Sequence, residues 1–190
     1  MRHGQSEWNA GGRWQGQADP PLTELGRLQA QHAAAALPTI DHVWASTLQR
    51  AAATAAIIAT ALGHASVRHD ARLVERDAGA WSGLTREEIE RRFPGYLDDG
   101  RRPEGFEPDD ALLARVLAAL THIVGCHPGE RVLVVTHGGV VYALETMLRH
   151  EWRRLGNVEA CWLHHRDGAW HLGHRIELVP ALERTVPDQL

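Results

Sequence analysis

Lysine is absent and its place is taken by arginine, a compositional habit without a functional message; cysteine is reduced to Cys126 and Cys161. Two thiols far apart and outside any paired motif exclude a disulfide framework and a cysteine-based metal site. They fit a reducing, cytoplasmic compartment, and Cys161, beside Trp162 in an apolar run, reads as core. A basic excess is missing too. The net charge is −4 with 23% charged residues, which excludes a surface built to track nucleic acid or an anionic membrane. No apolar run reaches the length of a membrane span, and the start lacks the charged-then-apolar pattern of a secretory signal.

What is present suits one globular unit. The 190 residues are 44% apolar, enough to bury one good core, so a single domain over 1–190 is expected. The first chemistry-bearing stretch is Arg2-His3-Gly4-Gln5-Ser6-Glu7-Trp8-Asn9. An imidazole beside a guanidinium, a glycine that admits backbone to a ligand, and small polar side chains suit an anion site holding a nucleophile.

Gly, Pro and Asn make 9–21 a loop. Thr23 caps a helix over about 24–37, ended by Pro38. The apolar run 42–46 reads as a buried strand, and a helix over about 48–62 follows, capped by Ser46 or Thr47 and stopped by Gly63. That places Arg50 in a first helical turn, where free N–H groups and the helix dipole favour an anion; a solvated arginine is the other reading. A short strand at 66–69 leads to the loop 73–85, where glycines flank Trp81 and Glu75 stands at an apolar mouth. A carboxyl there suits proton donation through a raised pKa, and a surface acid paired with Arg76 is the alternative.

Thr85 and Glu88 form a capping box for a helix to Phe93. The Pro- and Gly-rich stretch 95–110 is expected to be a lid-like loop governing access. Asp109 or Asp110 caps a helix to about Val124, whose Leu112, Leu113, Val116, Leu117, Leu120 and Ile123 make a core stripe. The run 131–136 reads as a strand inside a parallel sheet, ending on His137-Gly138-Gly139 before a helix over 140–149. A histidine on such a strand-to-helix turn stands where open α/β sheets bind ligands; a structural turn is the other reading. Strands at 158–166 and 169–178 are joined by the hairpin turn Asp167-Gly168.

The ordered motifs Arg2-His3-Gly4-Gln5-Ser6-x-x-Asn9, Gly16-x-x-Asp19-x-Pro21-Leu22-Thr23-x-x-Gly26, Ser46-x-Leu48-x-Arg50-Ala51-x-x-Thr54-Ala55, Leu73-x-Glu75 with Gly79-x-Trp81-x-Gly83-Leu84, and Val135-Thr136-His137-Gly138-Gly139 resemble the histidine phosphatase superfamily, also called phosphoglycerate-mutase-like. The resemblance implies a three-layer α/β/α fold with a mostly parallel central sheet. It also implies metal- and cofactor-free phosphoryl transfer through a phosphohistidine on His3. Arg2, Arg50 and His137 would surround the phosphate, with Asn9, Gln15, Gly16 and the Gly138 amide around it. Glu75 would protonate the leaving oxygen and then activate water. The implied partner is a small phosphorylated metabolite, neither nucleic acid nor membrane is expected, and a homodimer is compatible with the family.

Within the family the sequence leans to a phosphatase. Similar mutases carry an insertion with extra basic residues after the acid, and His-Gly-Asn where this chain has His137-Gly138-Gly139. Trp8, Trp14 and Trp81 are candidates for an apolar wall or for packing. Two departures stand out. Similar proteins have an apolar strand before the Arg-His pair, whereas the numbering here opens at Met1; the expectation is that upstream residues, or a strand from elsewhere, complete the central ladder, without which His3 loses its scaffold. Pro108 stands where similar proteins have serine after Gly-Glu. The rivals are a phosphate-binding relative without turnover and a metal protein using His164, His165, His171 and His174, whose spacing matches no standard site.

Overall fold

A computed structural model describes residues 1–149, 151 and 153–186; the last four positions of the expected 1–190 unit lie outside the described residues. Ser6 opens a short helix, α1 (Glu7–Ala10), by exchanging hydrogen bonds with Asn9. Composition had pointed to loop from Asn9 onward, and this reciprocal cap of two small polar residues supplies the extra turn. Thr23 caps α2 (Glu24–Ala36) as expected. β1 (His42–Ala45) leads into α3 (Gln49–Ala61). Neither Ser46 nor Thr47 caps α3: its N-cap is Leu48, and the Gln49 N–H is satisfied by Asp19 Oδ1 at 2.7 Å. A carboxylate from another loop has taken over the capping task.

β2 (Arg68–His69) and two short 3-10 turns, Ala71–Leu73 and Gly79–Trp81, frame the Glu75 loop, and α4 (Arg86–Arg92) carries the expected capping box. α5 (Asp109–Cys126) starts after Pro108, so Asp109 and Asp110 lie in its first turn, where their charges complement the positive end of the helix dipole, rather than at its cap. β3 (Val132–Val135) feeds α6 (Gly138–Met147), and β4 (Ala160–Arg166) pairs antiparallel with β5 (Ala169–Ile176). Their turn holds Asp167 at φ 50° and Gly168 at φ 76°, as a two-residue hairpin of this type requires.

The main sheet has the order β2-β1-β3, and both pairings are parallel. Side chains alternate across it. Val43, Ala45, Leu133 and Val135 meet the alanine faces of α2 and α3, while Trp44 and Val134 join residues of α5 on the other face. Helices therefore cover both faces, the α/β/α layering expected. Ala30, Ala33, Ala51 and Ala55 are fully buried, so a larger residue there would overpack the α2–α3 seam at a cost of about 1–3 kcal/mol. Among the described residues no helix is long and apolar enough to cross a membrane.

At the expected gap in the ladder, residues 1–3 pair on both sides. The Met1 amino group donates to Val134 O (2.9 Å), Thr136 N–H to Met1 O (2.8 Å) and His3 N–H to Thr136 O (3.0 Å). On the opposite side Arg2 N–H reaches Glu159 O (3.0 Å) and Val158 N–H reaches His3 O (3.3 Å). The anticipated loss of scaffold at His3 is thus not seen, because its own main chain is clamped between β3 and the segment before β4. Val158 takes φ 51°, a left-handed conformation that a β-branched residue rarely adopts.

Candidate active site

The carboxyl ends of the parallel strands bring His3, Ser46 and His137 together, the place where open α/β sheets bind ligands. His3 is buried, and its Nδ1 lies 2.6 Å from Gly4 O. A carbonyl only accepts, so Nδ1 carries the proton and the lone pair is on Nε2. Arg50 Nε–H donates to that Nε2 at 3.3 Å, while its Nη1 and Nη2 donate to Ala18 O (2.6 Å) and Gly16 O (2.9 Å). Arg50 is wholly buried in the first turn of α3, which settles the choice against a solvated arginine.

The His137 ring stands 5.2 Å from that of His3, edge to face. Its Nε2 meets Ser46 Oγ at 2.8 Å, and the same hydroxyl accepts the Leu48 N–H at 3.2 Å. The hydroxyl still has its proton and a second lone pair for that contact, so Ser46 donates to Nε2 or accepts from it according to the His137 tautomer. His137 Nδ1 is buried without a hydrogen-bond partner, as are Arg2 Nε and Trp14 Nε1. Unpaired buried polar atoms of this kind cost about 1–3 kcal/mol each; those of Arg2 and Trp14 are donors on residues that line the cleft, as suits an acceptor-rich, anionic group.

The electrostatics agree. Burial, then the positive charges of Arg50 and Arg2, hold the His3 pKa well below the usual 6.5. The pKa of His137 is likewise held well below 6.5, by burial, Arg50 and His3 in that order. Burial lowers Arg2 and brings Arg50 down to about 10. Two neutral imidazoles thus sit beside two buried guanidiniums.

Glu75 faces these groups from its loop. Its Oε1 accepts the Arg76 N–H (2.7 Å) and its Oε2 the Gly139 N–H (3.1 Å) at the start of α6. The apolar mouth expected for it is therefore partly polar. Pairing with Arg76 occurs through the backbone only; the Arg76 guanidinium goes to Asp109 (2.6 Å). Gly139 is required by this contact, since a Cβ there would lie 2.5 Å from Glu75 Oε1. Arg2, His3, Gln15, Gly16, Glu75, Gly138 and Gly139 line one cleft. Asn9 is held nearby, its Oδ1 accepting from Ser6 N and from Asn157 Nδ2, which also donates to His3 O.

Of the three tryptophans, Trp14 lines the cleft and Trp81 is core, while the Trp8 ring lies against Gly83. Phe106, from the 95–110 stretch, closes the wall with Ala78, to which it is bridged. Arg76 and Tyr142 also line the cleft. Sequence reasoning missed Tyr142 and Asn157; the one signal available for Tyr142 was its place one helical turn beyond His137-Gly138.

Among the described residues, the only cluster with metal-ligand chemistry is His42, His127 and Glu130, at the opposite end of β1 from the cleft. Trp44 Nε1 and Arg68 Nη1 both donate to His127 Nε2 (3.3 and 3.2 Å), so its Nδ1, 3.0 Å from Glu130, carries a proton rather than a lone pair. The hairpin histidines His164, His165, His171 and His174 form no such cluster among the described residues.

The histidine phosphatase superfamily (branch 1) model matches residues 1–176. A phosphoglycerate mutase-like protein 4 of Arabidopsis thaliana is 39% identical over 83% of this chain and 73% of its own. A metal-independent phosphoserine phosphatase of the same plant is 36% identical over 90% of this chain and 76% of its own. A mycobacterial glucosyl-3-phosphoglycerate phosphatase solved with VO3 superposes with a TM-score of 0.78 at 32% identity, covering 90% of this chain and 94% of that one. From the matched motifs, the parallel sheet and the paired histidines at its carboxyl edge, the chain belongs to the histidine phosphatase superfamily, branch 1.

Proposed function

We propose that this chain is a metal-independent phosphatase of small phosphate monoesters, working through a phosphohistidine on His3. The observation that carries the reading is the free-base Nε2 of His3, with Arg50 at 3.3 Å and the unpartnered donors of Arg2 and Trp14 on the same cleft. A phosphate monoester supplies the acceptor oxygens those donors lack. His3 Nε2 attacks phosphorus, the ester P–O bond breaks, and the departing oxygen takes the proton of Glu75. Water then attacks the phosphohistidine, Glu75 receives its proton, the N–P bond breaks, and inorganic phosphate leaves with His3 restored.

Neutral His3 is what the first step needs, and its lowered pKa supplies it across physiological pH. The arginines and the Gly139 end of α6 offset charge on the transferring group. Hydrolysis rather than isomerisation is favoured by the small residues Gly16, Ala78, Gly138 and Gly139 lining the cleft, which leave room for water. The phosphatases among the relatives, and the mycobacterial glucosyl-3-phosphoglycerate phosphatase structures with VO3 and with inorganic phosphate, support a phosphate-like ligand. The free thiols Cys126 and Cys161 fit a cytoplasmic setting.

The test is turnover of p-nitrophenyl phosphate with EDTA present, together with trapping of an acid-labile, base-stable phosphoenzyme. Wild type is expected to turn over and to be labelled, and His3→Ala to do neither. Strict dependence on added metal, or labelling undiminished in His3→Ala, overturns the reading.

A further inference from the structure

Arg115 belongs to none of the motifs, yet every one of its N–H donors is committed. Nε–H and one Nη2–H hold the two oxygens of Glu107 (both 2.7 Å), and Nη2 also reaches Glu75 O (3.0 Å). Nη1 donates to Arg72 O (2.8 Å) and Val74 O (2.7 Å). An arginine serving only to anchor a helix would need one such segment; this one ties α5 to the main chain leading into Glu75 and to the residue after Phe106.

The second half of the brace runs through Glu107. Its N–H donates to Asp77 O (3.0 Å), its Oε2 accepts the Asp77 N–H (3.2 Å), and its carbonyl accepts from Arg76 Nη1 (2.8 Å). The main chain is therefore pinned at 72, 74 and 75 by Arg115 and at 77 by Glu107, which also holds the Arg76 side chain. The Glu75 carboxylate projects from the middle of that span. Few freedoms remain for it beyond its own side-chain rotations.

We infer that Arg115 is the positioning residue for Glu75, holding the acid at the leaving oxygen and locking it to the Phe106 wall. This rests on the acid role given to Glu75 above. A planar fork is needed to reach both oxygens of Glu107 and three carbonyls at once; lysine, with three donors on a single atom, does not span them.

The experiment compares phenyl phosphate, a poor leaving group, with 2,4-dinitrophenyl phosphate, which departs without a proton. Arg115→Met is expected to lower kcat/KM for phenyl phosphate by roughly tenfold to a hundredfold, the scale of a misplaced catalytic group, and for the dinitrophenyl ester by less than about twofold. In a Glu75→Gln background the same substitution should cost less than about twofold on either substrate, because the group it positions is gone. Arg115→Lys should fall between. Equal losses on both esters, or a full additional loss in the Glu75→Gln background, overturn the inference. If Glu75→Gln itself costs the two esters equally, the acid role fails and the inference with it; if only the Arg115 results disagree, the acid role stands. Should Arg115→Met not fold, Glu107→Gln, which weakens the same fork, is read by the same criteria.

Discussion

Arg50 aims its Nε–H at the lone pair of His3, 3.3 Å away, while its two other nitrogens are held by the carbonyls of Gly16 and Ala18. The cation is thus fixed where negative charge on a transferring phosphoryl group would collect. Arg50→Lys keeps the charge and loses the fork, and is expected to lower kcat/KM by about a hundredfold or more. Steady-state kinetics on p-nitrophenyl phosphate decide this, and a loss below about fivefold would show that the fork is dispensable.

Acid should destabilise the fold through His3 and His137. Both have folded pKa values well below the unfolded 6.5, burial being the largest cause. As pH falls through 6.5 the unfolded chain takes up protons that the folded one refuses, so stability present above 6.5 is lost below it. The loss continues until the folded pKa values are reached, at no more than about 1.4 kcal/mol per pH unit for each histidine. Melting temperatures from pH 7.5 to 5 should fall less steeply in a His3→Gln/His137→Gln variant than in wild type. Parallel curves would remove these residues from the acid response.

Gly139→Ala separates function from stability. The added methyl meets the end of the Glu75 side chain, Oε1 at 2.5 Å, which can swing aside at small cost to the fold. Displaced from the start of α6, the carboxylate is no longer at the cleft. A fall of roughly tenfold or more in kcat/KM for phenyl phosphate, with urea unfolding within about 1 kcal/mol of wild type, is expected. Unchanged kinetics would mean that the carboxylate position seen here is not the working one.

Gly26→Ala should do the reverse. In the first turn of α2, a Cβ at Gly26 would lie 2.0 Å from Gln5 O, a backbone atom with nowhere to go. The loop that follows His3 must shift, and a loss of roughly 3 kcal/mol in urea unfolding is expected. A stability equal to wild type would contradict the close approach of these two segments.

With 3-phosphoglycerate and a trace of the 2,3-bisphosphate, inorganic phosphate is the expected product, with little 2-phosphoglycerate formed. Rapid interconversion of the 2- and 3-phosphates, followed by NMR, would make the chain a mutase and leave its fold assignment untouched.

His3, Arg50, Glu75 and His137 were legible as a set through the ordered family motifs; local signals placed each at a junction between elements but left Arg50 and Glu75 with surface alternatives. The layers were legible from local patterns, the apolar runs of β1 and β3 and the leucine stripe of α5, whereas α2 buries Ala30, Ala33 and Ala34 and leaves Leu28 exposed. Ser46 was recognised as important but given a helix-capping duty, since nothing local reveals that its hydroxyl meets a histidine 91 positions later. Asn157 and Arg115 were invisible because their partners, His3 and Glu75, lie at sequence separations of 154 and 40. Their meaning exists only after the chain has folded back on itself.

The clamping of residues 1–3 bears on how the enzyme comes to life during synthesis. Their hydrogen bonds run to Val134, Thr136, Val158 and Glu159, the first of these spanning 133 positions. A nascent chain can build the β1–α3 unit early, but His3 stays unplaced until most of the polypeptide has left the ribosome. At about 5–20 residues per second, that interval is on the order of ten to thirty seconds. Throughout it the Arg2-His3 segment has no sheet to join, so the cleft is assembled only once those later residues are in place.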